Sequence, residues 1–164
     1  MHWLKYLDRS DLRLVITGTS RNVHGFVKLA KDRGVDRYVH FTGHVDHATK
    51  LPRIYAAAAD VVVIPSPCRE ATAIAMLEGI AIRKPMVVAH IGGLTEVAKD
   101  IYNALVRPAE VRAFGDAISL LLGGSKLAQR LVRNAFEFPT QDDSMGLGES
   151  RVVECFSKRK DGRC

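Results

Sequence analysis

The chain has 164 residues, and 24 Lys+Arg against 18 Asp+Glu leave a formal charge of +6. That length suggests one domain of roughly 150 residues with a tail, and 47% hydrophobic with 26% charged residues excludes wholesale disorder and fibrous repeats. Apolar runs fall far short of the ~18 residues of a membrane span, and Met1-His2-Trp3-Leu4-Lys5 lacks the basic-then-apolar order of a signal peptide, so a cytoplasmic location is expected.

Residues 1–9 look like the end of a helix entering a first strand. The apolar runs then follow in order: 12–17, 38–42, 60–65, 85–89 and 104–106. Three are rich in β-branched residues and almost continuously apolar, as strands buried on both faces must be. Between and after them the pattern predicts helices over 22–33, 47–58, 72–82, 94–99 and 110–122, then a last helix over 125–138 with Leu127, Leu131 and Ala135 at helical spacing. Gly18 and Gly43 follow strands, Gly34 sits where a helix should stop, and Lys84-Pro85 separates a helix from the next strand. Strand–helix alternation of this kind predicts an α/β fold, a Rossmann-like parallel sheet with helices on both faces. The expected division is a domain over 1–138 and an irregular tail over 139–164.

Little in the composition suggests a metal or redox centre. Cys68, Cys155 and Cys164 are widely spaced and form no Cys-x-x-Cys. Among the six histidines the close pair is His44 and His47, with no third spaced ligand, so no metal site is expected. Ser66 lacks a nucleophile elbow, and Gly18-Thr19-Ser20 is neither a Walker loop nor a full dinucleotide fingerprint. The positive charge fits an anionic partner or a merely solvated surface. The tail cluster Lys158-Arg159-Lys160 suits acidic lipid at the periphery of a membrane, nucleic acid, or simple solvation. A nucleic-acid partner has only net charge behind it and is not expected.

In an open parallel sheet, ligands bind beyond the carboxyl ends of the strands. The loop after Val61-Val62-Val63-Ile64-Pro65 is the most informative, because it leads through Glu70 to Glu78. On one continuous helix those two would stand about 12 Å and about 80° apart, off a common face. Pro67 instead places Glu70 before the helix and Glu78 in its second turn, with free N–H groups near Thr72 and Ala73 favouring phosphate. Carboxylates are acceptors suited to sugar hydroxyls. Equally ordinary roles exist: Glu70 complementing a helix dipole and Glu78 on a solvated helix face.

The ordered motifs from 12 to 135 resemble the C-terminal donor-binding domain of retaining GT-B glycosyltransferases of the family 4, or group 1, type. The resemblance rests on Pro65-Ser66, Glu70 and Glu78, Lys84-Pro85-Met86-Val87-Val88-Ala89, and Ile91-Gly92-Gly93-Leu94-Thr95-Glu96, with Arg13 to Gly18 and Val39 to Val45 upstream. It implies a nucleotide-diphosphate sugar as donor, an unidentified acceptor, no cofactor and no metal. By the same resemblance, Glu78 would bind ribose hydroxyls and Glu70, as the catalytic-site carboxylate, hydroxyls of the donor sugar. Backbone N–H groups of Thr72, Ala73 and Ile74 would meet sugar or phosphate. Gly43, His44 and Val45 would hold the base, Gly18 would leave room near the diphosphate, and Gly92 and Gly93 would form a donor-side turn. The chain departs from the family at Ala71-Thr72-Ala73-Ile74, where Gly-Phe-Gly-Leu is common, and at Arg83, where a Gly often precedes Lys-Pro. It also carries Asp100-Ile101-Tyr102-Asn103-Ala104 for an Asp-Gly-x-Asn-Gly turn, and a reshaped loop is expected because Ile101 would be strained at positive φ. The family's first strand of this domain, its diphosphate-binding Arg and Lys, and its N-terminal domain have no counterpart in these residues. The expected activity is therefore hexosyl transfer with retention by a complete enzyme, this chain alone being inactive. The competing expectation is a non-catalytic nucleotide-binding or interaction module.

Overall fold

The computed structural model describes residues 2–18, 22–45, 57–65, 74–124 and 126–141. These fall into two compact units, one within residues 1–55 and the other within 56–164.

The first unit contains α1 (His2–Leu7), β1 (Leu14–Thr17), α2 (Val23–Asp32), a short 3-10 turn at Asp36–Tyr38, and β2 (Val39–Gly43). β1 and β2 pair in parallel, Leu14 beside Val39 and Ile16 beside Phe41. Parallel neighbours need a long crossover, and α2 lies within it. Ala30 and Val35 are buried against Leu12, Leu14, Tyr38 and Val39. The stop expected at Gly34 is present: its N–H donates to the Lys31 carbonyl at 2.9 Å, and the Val35 N–H to the Ala30 carbonyl at 3.0 Å. This is a Schellman ending, with Gly34 in the required left-handed conformation at φ +67°.

The second unit runs β3 (Val62–Ile64), α3 (Ile74–Ala81), β4 (Met86–Ala89), α4 (Leu94–Val97), β5 (Leu105–Arg107), α5 (Val111–Leu122) and α6 (Lys126–Gln141). Its strands form a parallel sheet in the order β3-β4-β5, with Val63 beside Val87 and Val88 beside Val106. Met86 and Val88 join Ile64, Met76, Leu77, Ile80 and Val106 in one core cluster. Alternation along the strand turns Val87 and Ala89 to the opposite face, and they too are fully buried, so β4 is covered on both sides. α3 packs on β3 and α6, while α5 packs on β4 and β5. α5 buries Phe114, Ala117, Ile118 and Leu121, and α6 buries Ala128, Leu131 and Ala135, each a stripe of helical period.

Three expectations need correction or restriction. Continuous burial holds for β4, whereas β1 alternates: Leu14 and Ile16 are half-buried and Val15 is 42% exposed, the pattern of a strand covered on one face. The last helix passes the expected end at 138 and continues through Pro139 to Gln141. The loop expected to be reshaped around Ile101 is not, because Ile101 keeps a left-handed φ of +59°. Hydrogen bonds overrule its local preference. Asn103, 1% exposed, donates from Nδ2 to the Val97 carbonyl at 2.9 Å and accepts the Lys99 N–H on Oδ1 at 2.7 Å. Asp100 Oδ1 accepts the Val106 N–H at 2.9 Å, and the Ile101 N–H reaches the Ala104 carbonyl at 2.9 Å. Nearly all of the helix expected over 47–58, and the tail from 142 onward, lie outside the described residues.

Candidate functional site

Within each unit, the parallel strands bring their carboxyl ends to one edge of their sheet. At the edge of the first unit, Gly18 closes β1 and Gly43 closes β2. The Gly18 N–H donates to the Gly43 carbonyl at 3.0 Å, tying the two turns together. Gly18 has φ +105° and Gly43 φ +70°, conformations that disfavour any other residue. No described atom lies within 4 Å of where a Cβ would stand at either glycine. Thr42 Oγ1 donates to the Gly43 carbonyl at 3.0 Å and steadies the same corner. His44 is exposed and Val45 half-buried just beyond it.

In the second unit, the carboxyl edge carries the turn from His90 to Gly93. The Ile91 N–H donates to the Ala89 carbonyl at 2.9 Å, and Gly92 takes φ +50°. The Gly92 carbonyl accepts both the N–H and the hydroxyl of Thr95, the latter at 2.8 Å, which anchors α4 beneath the turn. Helix α3 spans Ile74–Ala81 in the same unit. Glu78 lies in its second turn, half-buried and engaged within the fold. Its neighbour Gly79 lets the helix approach β4: a Cβ there would stand 2.5 Å from the sulfur of the fully buried Met86.

The sequence-derived positions thus separate into three groups. Gly18, Gly43, His44 and Val45 meet at one carboxyl edge, and Gly92 and Gly93 stand at the other. Ile74 and Glu78 both lie on α3. Glu70, Thr72 and Ala73 lie outside the described residues. Sequence reasoning passed over Arg107, which closes β5 at the carboxyl edge beside the Gly92 turn. Its carbonyl accepts the His90 N–H at 2.8 Å, and its Nη1 donates to Asp100 Oδ1 at 2.8 Å. The signal was available, since a basic residue at the end of a parallel strand falls where ligands bind.

The electrostatic shifts lie elsewhere. A hydrogen bond from Arg9 holds the Asp11 carboxyl below its ordinary range, and the same pair raises Arg9. Among the described residues, no group of three or more His, Cys, Asp or Glu comes together. No described helix is long and apolar enough to cross a membrane.

Parallel strands, crossover helices and glycine turns at the carboxyl edges define an α/β, Rossmann-like protein. The family model described as glycosyl transferases group 1 matches residues 1–138, and the chain belongs to that family. An uncharacterized glycosyltransferase of Methanocaldococcus jannaschii is 34% identical over 132 residues, covering 80% of this chain and 33% of that protein. Alpha-D-kanosaminyltransferase of Streptomyces kanamyceticus is 28% identical over 144 residues, 87% of this chain and 36% of that enzyme. The chain therefore spans about a third of the length of these curated relatives. Anabaena HepE, solved in complex with UDP-glucose, superposes with a TM-score of 0.73 at 18% identity, over 99% of this chain and 45% of that one. The C-terminal domain of the group 1 protein LpcC from Francisella tularensis gives 0.71 at 22% identity, over 88% and 76%. These likenesses establish the fold as that of GT-B glycosyltransferases.

Proposed function

We propose that this chain is the donor-binding part of a retaining glycosyltransferase that takes a hexosyl group from a nucleotide-diphosphate sugar. The observation that carries the reading is the Gly18–Gly43 corner at a carboxyl edge: two left-handed glycines, hydrogen-bonded to each other, with no described atom within 4 Å of a Cβ built at either. Family membership supports it, as does the capture of UDP-glucose by HepE, a protein of the same fold. In this reading Glu78 accepts hydrogen bonds from ribose hydroxyls, a task suited to an acceptor-only carboxylate. Glu70 takes hydroxyls of the sugar, and N–H groups from Thr72 to Ile74 meet sugar or phosphate. Gly43, His44 and Val45 hold the base through the backbone, while the Gly92-Gly93 turn serves the donor side. The work is positioning a diphosphate leaving group and stabilising its charge, without a metal. Transfer to an acceptor is shared with an N-terminal GT-B domain, and this chain by itself binds donor without turning it over in the cytoplasm.

Titration calorimetry with UDP and UDP-glucose tests the proposal. Binding is expected, and Glu78→Gln should weaken it about ten-fold or more, because a hydrogen bond to a charged group contributes about 1.5–3 kcal/mol. The variant's melting temperature separates lost contact from lost fold. Absence of binding, or binding indifferent to that change, removes the donor assignment. Sugar transfer by the chain alone contradicts the shared-domain part.

A further inference from the structure

The donor-binding reading supplies the diphosphate with backbone N–H groups but with no cationic side chain. Two basic residues stand at the carboxyl edge of the second unit: Arg107 closes β5 and His90 follows directly on β4. They are backbone neighbours, since the His90 N–H donates to the Arg107 carbonyl at 2.8 Å. The half-buried Arg107 is already engaged. Its Nη1 donates to Asp100 Oδ1 at 2.8 Å and to the Val106 carbonyl at 2.6 Å, which pairs its charge and holds it to the loop that precedes β5. His90 differs on both counts: it is exposed, and its imidazole makes no hydrogen bond or ion pair among the described residues.

The backbone that carries this imidazole is nevertheless fixed on both sides. Beyond the bond to Arg107, the Ile91 N–H donates to the Ala89 carbonyl at 2.9 Å and the Leu94 N–H to the Ile91 carbonyl at 3.3 Å. The Thr95 hydroxyl ties the left-handed Gly92 to α4. A group held on a fixed frame loses little freedom when it meets a ligand, so its contact is preorganised. An imidazole offers an N–H donor in either charge state, and a hydrogen bond to an ionised phosphate is stronger than one between neutral groups. We propose that His90 is a donor-binding residue whose imidazole N–H donates to the diphosphate of the nucleotide sugar. The inference rests on the donor-binding reading and adds to it a side chain that meets the leaving group, not the base or the sugar.

Calorimetric titration of the full chain and its variants with UDP and with UDP-glucose tests this. His90→Ala should weaken both ligands equally, about ten-fold, without lowering the melting temperature, since the side chain is exposed. His90→Lys, which restores a cationic donor, should bring UDP binding back to within about three-fold of the unaltered chain. The inference is overturned by UDP binding that His90→Ala leaves unchanged, by a loss confined to UDP-glucose (which would give the imidazole to the sugar), or by a loss that His90→Lys does not repair. If Glu78→Gln weakens UDP binding while His90→Ala does not, this inference alone falls. If the unaltered chain binds neither ligand, the donor-binding reading falls with it.

Discussion

Ile101 and Arg83 both hold left-handed backbone, at φ +59° and +57°, where glycine would rest without strain. Arg83 recovers part of that strain by stacking on Phe136, whereas Ile101 does not bury its side chain. Ile101→Gly should therefore stabilise the chain by about 0.5–1 kcal/mol, the relieved strain of about 1–2 kcal/mol less the added chain entropy of glycine. A rise of about 2–4 °C in melting temperature per kcal/mol is the scale to look for; a fall would mean that the side chain packs. Asn103 is the opposite case. Its side chain satisfies the Lys99 N–H and the Val97 carbonyl inside the protein, so Asn103→Ala should destabilise by about 2–3 kcal/mol in urea unfolding. The departure from the family turn was legible in the sequence, but its consequence was not. Local preference argued for a reshaped loop, and the converging bonds of Asp100 and Asn103, which residue order does not reveal, decided otherwise.

At the scale of elements, the glycines and prolines marked boundaries well because each acts locally. Gly34 ends α2 through the same pair of hydrogen bonds by which Arg83 ends α3: the Lys84 N–H reaches the Gly79 carbonyl and the Arg83 N–H the Ile80 carbonyl. Burial was less legible. Leu14 to Ile16 reads as continuously apolar as Met86 to Val88, yet Val15 faces solvent and Val87 does not, because only the assembled fold says which faces are covered. Gly79 was also silent in the sequence, since its role is to let α3 meet β4. Gly79→Ala gains about 1 kcal/mol of helix propensity but crowds Met86, an overpacking that costs about 1–3 kcal/mol. A net loss of about 1 kcal/mol is expected in thermal or urea unfolding, and Met86→Ala introduced with it should remove the clash while leaving its own cavity penalty.

At the scale of the molecule, the edge positions of the candidate site were legible because the rule that ligands meet carboxyl ends needs only strand order and glycine turns. Gly18, Gly43, Gly92 and Gly93 stand where that rule puts them. The groove that Arg83 and Phe136 line with Arg133 was not legible, because helix packing and not spacing brings residues 83, 133 and 136 together. The central claim is that the carboxyl edges receive a nucleotide sugar. Amide chemical shifts of the isotopically labelled chain, followed as UDP-glucose is added, test it most directly. The account predicts that Gly18, Gly43 and Gly92 shift together and saturably, while Gly34 and Gly124, which follow helices and lead away from those edges, stay in place. Saturable shifts at Gly34 or Gly124 with Gly18, Gly43 and Gly92 unmoved would contradict it.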